Sequence, residues 1–236
     1  MASPKTKTIL SLVLLGVLLI LGVGLYNLRA MGRAEYWGSE IRGFEEADRT
    51  APPKSGVIVF TGSSSIRFWR TLHQDMSPLA VVNRGFGGAQ IAHVSQYAHR
   101  IILPYRPRAV VLYAGVDDLM WGRTPEEVLV EFQHFVGFIH AALPETWIYY
   151  ISIKPTRLFG SRWAAMKRTN ALIEEFVHTQ AKVEFIDVST ALLDAHGKAR
   201  PEFLSWDGLH PNRQGYELMT SKIKPVLVKR FMNRDQ

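Results

Sequence analysis

The chain has 236 residues, 47% of them hydrophobic, 21% charged and 11% aromatic, which is the profile of a globular domain with a substantial core and excludes a disordered or fibrous chain. It contains no cysteine, so disulfides, zinc–thiolate sites, iron–sulfur clusters and a thiol nucleophile are excluded. The net charge of +7 is open to three explanations on its own: nucleic acid, an anionic membrane surface, or a simply basic protein.

Residues 9–26 read ILSLVLLGVLLILGVGLY, an uncharged run flanked by Lys5 and Lys7 on one side and Arg29 and Arg33 on the other. As a helix this run spans roughly 27 Å, close to the hydrocarbon thickness of a bilayer. It is longer than the apolar region of a cleaved signal, and NLRAMGR after it offers no small-residue cleavage site. The expectation is that residues 1–29 form a single-pass membrane anchor, with a cleaved signal peptide as the other reading and an exported periplasmic or extracellular domain behind it. The charges beside this run supply much of the positive excess. The remaining basic residues form no stripe or groove-reading motif, so no nucleic-acid partner is expected.

Residues 30–55 read as a linker, with a helix from Arg33 to Arg49 broken by Ala51-Pro52-Pro53-Lys54-Ser55-Gly56. From residue 56 to 236 a single domain is expected. Short β-branched and aromatic runs at Val57–Thr61, Ala80–Asn83, Ala109–Ala114, Trp147–Ile153 and Val183–Val188 predict five strands. Helices are predicted at about 89–103, 125–142, 161–180 and 214–231, the second opened by the start signal Thr124-Pro125-Glu126-Glu127. The basic tail after Pro225 reads as a solvated helix end. Strands alternating with helices predict a doubly wound parallel α/β sheet, in which ligands bind beyond the carboxyl ends of the strands.

The loops expected at that edge carry chemistry. Gly62-Ser63-Ser64-Ser65 follows the first strand, Gly85-Phe86-Gly87-Gly88 the second, Gly115-Val116-Asp117-Asp118 the third, and Trp206-Asp207-Gly208-Leu209-His210-Pro211 lies beyond the fifth. Each has a bland reading: a polar loop, a tight turn, solvated carboxylates. The glycine turn lacks the P-loop lysine and the dinucleotide spacing. The Asp117-Asp118 pair has no His or Glu cluster at ligand spacing, so no metal is expected. His210 is the histidine with an Asp three residues before it. Together the loops supply a hydroxyl, backbone amides, carboxylates and an imidazole, the parts needed for acyl transfer through a serine.

These blocks resemble the SGNH hydrolases, the GDSL-type esterase/lipase superfamily, over about residues 56–231. The resemblance implies a three-layer α/β/α sandwich with a five-stranded flavodoxin-like sheet. It makes Ser64 the nucleophile, with Ser63 in place of the family's usual Asp. Asn83-Arg84-Gly85-Phe86-Gly87-Gly88 matches the second block and implies Gly88 as an oxyanion-hole amide beside that of Ser64. Asp207 and His210 match the last block as orienter and base, with a backbone carbonyl the alternative orienter at a spacing of only three residues. The third block departs from the family, because Asp117 stands where an Asn amide donates to the oxyanion, and an ionised Asp can only accept. The expected function is hydrolysis of short acyl or acetyl esters of an alcohol, sugar or lipid through an acyl-enzyme, without cofactor. An O-acyltransferase using the same triad and a non-catalytic binding protein on the same fold are the alternatives. Phe68, Trp69, Phe86, Met120 and Trp121 are candidates for an acyl pocket or for core packing.

Overall fold

Five strands rich in β-branched and aromatic residues pair in parallel in the computed structural model: β1 (Ile58–Gly62), β2 (Val81–Gly85), β3 (Ala109–Tyr113), β4 (Trp147–Ile151) and β5 (Val183–Ile186). The structure describes residues 34–232 together with Val13, Gly16 and Gly22. The apolar run 9–26 otherwise lies outside the described residues, and among those no helix is long and apolar enough to cross a membrane. Met1–Glu40 and Ile41–Gln236 are separate compact units, and the sheet belongs to the second.

The strand order is β2-β1-β3-β4-β5, with Ile58 opposite both Val81 and Ala109. The chain therefore winds one way from β1 to β2 and the other way from β3 onward, which puts the topological switch point between β1 and β3. Parallel strands require crossovers, and helices supply them on both faces, giving the expected three layers.

The helices are α1 (Gly38–Thr50), α2 (Ser64–Arg67), α3 (Leu72–Met76), α4 (Ile91–Ile101), α5 (Val116–Met120), α6 (Pro125–Ala142), α7 (Trp163–Val177) and α8 (Arg213–Phe231). Successive strand residues face opposite sides. Phe60, Val111, Tyr113 and Tyr149 pack with Trp69, Leu72 and Met76 and with Tyr216, Met219, Ile223 and Leu227 of α8. On the other face α4, α6 and α7 bury Val94, Phe132, Phe135 and Ile173, with Phe132 edge-on to Tyr150 at 4.9 Å. Helix α6 begins where its start signal predicts, with Thr124 and Glu127 in a reciprocal capping box.

Strands β4 and β5 stop short of their predicted ends because side chains take over the ladder. Asn170 accepts from the Ile153 amide at 2.8 Å and donates to its carbonyl at 2.9 Å, and Ser152 Oγ accepts from the Val188 amide at 2.9 Å. The tail after Pro225 also differs from expectation. Arg230 lies over the Trp147 ring at 3.8 Å and pairs with Glu184, while Phe231 packs on Tyr149. In the segment read as a linker, Glu45 accepts twice from Arg100 at 2.7 Å, and Asp48 pairs with Arg84 and Tyr105.

Candidate active site

Strand β1 delivers Ser64 to the switch point. Gly62 has φ +124, and a Cβ there would come 1.9 Å from the Tyr113 carbonyl, so only glycine lets β1 and β3 approach this closely. The ladder runs one residue further, with the Ser63 amide donating to that carbonyl at 2.9 Å. The chain then turns into α2, whose first residue is Ser64. The turn after β2 lies against it: Asn83 donates to the Ile66 carbonyl at 2.6 Å, and a Cβ on Gly85 would meet the Arg67 amide nitrogen at 2.5 Å.

Ser64 Oγ lies 2.8 Å from His210 Nε2, although 146 positions separate the two residues. His210 Nδ1 lies 2.6 Å from Asp207 Oδ2. The other carboxylate oxygen of Asp207 accepts from the Leu209 and His210 amides at 2.9 and 3.0 Å, so the short Asp–His spacing closes into a tight turn. Burial alone would push Asp207 up. The hydrogen bonds from the His210 ring and from these two amides outweigh it, holding the carboxyl at about 2. Phe68 sets its ring edge-on to His210 at 4.9 Å.

The N–H groups of Ser64 and Gly88 make no hydrogen bond among the described residues, and Gly88 holds φ +72. Asp117 shares with Ser63 and Ser64 a small cavity of about 20 Å³, room for about one water. Burial raises the Asp117 carboxyl to about 6, against the pull of the Ser63 hydroxyl and of the His210 and Lys154 charges. Its neighbour Asp118 is fully buried, with one oxygen accepting from the Ile91 amide at 3.2 Å and the other without a partner among the described residues. Burial, with the charges of Asp117 and Glu131, raises Asp118 to about 7. A larger hollow of about 400 Å³, lined by Arg157, Trp163, Asp194 and Lys198 among others, contains none of the Ser64 site residues.

Of the aromatic candidates near the site, Trp69 and Phe86 belong to the core at 1% and 0% exposure, whereas Phe68 and Trp121 are exposed. Sequence reasoning passed over Lys154. It follows β4 at the same sheet edge, lines the cavity, and donates to the Leu209 carbonyl. The available signal was a lysine just beyond an apolar strand and directly before Pro155.

The fold is shared with several solved structures. A protein from Streptococcus pneumonia described as a proposed platelet activating factor is 19% identical, with 89% of this chain and 99% of that one covered and a TM-score of 0.73. A GDSL-like lipase from Bacteroides thetaiotaomicron is 18% identical, covering 85% and 100%, with a TM-score of 0.69. A family 3 carbohydrate esterase from Talaromyces cellulolyticus is 20% identical, covering 75% and 99%, with a TM-score of 0.60. Among curated proteins no sequence matches this chain significantly. Residues 46–218 match the GDSL-like lipase/acylhydrolase family, which spans the sheet and every block described above. The chain belongs to that family of hydrolases, whose general chemistry is ester hydrolysis.

Proposed function

We propose that this protein is a serine esterase that removes short acyl groups, acetyl above all, from an alcohol, sugar or lipid through an acyl-enzyme. The observation that carries the reading is the unbroken row from Ser64 Oγ through His210 to Asp207, with contacts of 2.8 and 2.6 Å. A serine hydroxyl is a weak nucleophile at neutral pH and needs a base at this distance. His210 takes the Ser64 proton as Oγ attacks the ester carbonyl, and it later returns that proton to the leaving alcohol. Asp207, held ionised, fixes the ring tautomer and stabilises the imidazolium. The unengaged N–H groups of Ser64 and Gly88 are the oxyanion donors. Water then deacylates Ser64.

Asp117 donates to the oxyanion only while protonated, which its raised carboxyl allows below about pH 6. The narrow cavity beside Ser64 favours a small acyl group, and the family 3 carbohydrate esterase among the similar structures favours a sugar-borne ester. The apolar run 9–26 makes the enzyme membrane-tethered, with its catalytic domain exported.

The test is turnover of p-nitrophenyl acetate and butyrate by the full chain, with Ser64→Ala as control and fluorophosphonate labelling of Ser64 in parallel. Turnover and labelling in the wild type, both lost in the variant, are expected. A folded wild type that neither turns over nor labels overturns the esterase and favours a binding protein on this fold.

A further inference from the structure

The loop after β4 puts a positive charge inside the site. Lys154 is 1% exposed, lines the cavity shared by Ser64 and Asp117, and donates Nζ to the carbonyl of Leu209, the residue before His210. A buried ammonium persists where carbonyl dipoles and opposite charges face it. Two carboxylates pull on it here, Asp207 of the His210 turn more strongly and Asp117, which lines the same cavity from α5. Tyr113 of β3 and Ser63 line the same cavity, and the Ser63 hydroxyl and the His210 charge also act on Asp117.

The two carboxylates are not in equal need. Asp207 is satisfied by the His210 ring and by two backbone amides. Asp117 has the Ser63 hydroxyl, and it lines the cavity that Ser64 also lines, so that on the esterase reading its negative charge would oppose the oxyanion. Resting on the esterase reading above, we propose that Lys154 is the counter-charge of Asp117, a positioning residue that keeps the oxyanion side of Ser64 from carrying net negative charge.

The protonation behaviour of the two groups fits this role. Burial lowers Lys154 to about 7, against the pull of Asp207 and Asp117, and burial raises Asp117 to about 6. Below the lower midpoint Asp117 keeps its own proton. Between the two, an ionised Asp117 faces a charged lysine. Above both, the carboxylate stands unopposed beside Ser64. Interacting groups titrate as a pair, so the midpoints shift together when either partner is removed.

Carbon-13 NMR titration of the aspartate carboxyls in the full chain tests the coupling without requiring turnover. In Lys154→Met the Asp117 midpoint should rise by about one pH unit, because a nearby cation favours the ionised form. An unmoved midpoint overturns the proposal. Should Lys154→Met fail to fold, Asp117→Asn reads the coupling from the other side: the Lys154 Cε midpoint should fall, and no fall overturns the proposal. Kinetically, the alkaline limb of kcat/KM should move up by the same pH interval as the Asp117 midpoint in Lys154→Met, and Lys154→Met should shift no such limb in the Asp117→Asn background. A limb that stays in place, or equal changes in both backgrounds, would reduce Lys154 to packing. Coupled midpoints in a chain that neither cleaves esters nor labels at Ser64 would uphold the charge pair while ending the esterase reading.

Discussion

Tyr216 donates its hydroxyl to the carbonyl of Ser65 at 2.8 Å, joining the last helix to the turn that carries Ser64. Trp69 stacks on the Tyr216 ring at 5.0 Å, and Arg213 reaches Thr71 and Asp75 at 2.6 and 2.9 Å. Asp75 is held in turn by Trp69 Nε1 at 2.7 Å. Helix α8 starts just after His210, with Asn212 capping it through the Gly215 amide. One brace therefore holds both ends of the Ser64–His210 contact. Tyr216→Phe leaves the buried Ser65 carbonyl without this partner and should cost about 1–2 kcal/mol of stability in denaturant unfolding. Activity should fall by less than about tenfold, because the ring stack survives.

Asp117 sets the alkaline side of the pH profile. Ionisation removes a donor and adds a negative charge near the oxyanion, so activity should fall as pH rises through about 6. Asp117→Asn should abolish that limb and raise the alkaline rate by about 10²–10³-fold, the usual worth of one oxyanion donor. Profiles of kcat/KM for the two proteins decide it. A limb that persists in the variant would remove Asp117 from the account.

Asp118 bears on stability rather than rate. Its carboxyl is raised to about 7 in the folded protein, from an ordinary value of 3.8. The folded state thus holds a proton that the unfolded chain releases first, and stability is lost as pH rises between those two values. Asp118→Asn should flatten this decline, so the variant gains on the wild type by about 1–3 kcal/mol between acid and neutral pH. Denaturant unfolding of both proteins at the two ends of that range measures the difference.

Gly62 has no room for a side chain, since a Cβ would overlap the Tyr113 carbonyl at 1.9 Å and φ is +124. Gly62→Ala should cost about 3 kcal/mol or more and lower soluble yield. Gly137, with nothing within 4 Å of its Cβ direction, is the control, where alanine should be neutral or stabilising.

The sheet was legible because its strands are near-continuous apolar runs, and the site because four loops on one edge each carried a reactive group. Where the reading missed, tertiary packing had decided the outcome. Helices α2 and α3 are four and five residues long, too short for a helical period to show. Strand β4 was over-extended because Ile153 is as apolar as its neighbours, and only the fold brings Asn170 to take its backbone groups. Trp69 follows the first block and Phe86 lies within the second, yet both are buried in the core. Lys154 reads as a surface residue until the 206–210 turn closes over it, and no local pattern encodes that closure.

The close approach at Gly62 also bears on how the Ser64 turn moves. Because the Ser63 amide donates to Tyr113 as an extension of the ladder, its hydrogen can exchange with solvent only when β1 and β3 separate. Reactive turns usually exchange through local fluctuation, whereas this one is clamped by the central strand pair. Deuterium should enter the Ser63 amide as slowly as it enters the middle of the sheet. Heating would then release Ser64 from its position only as the sheet itself comes apart.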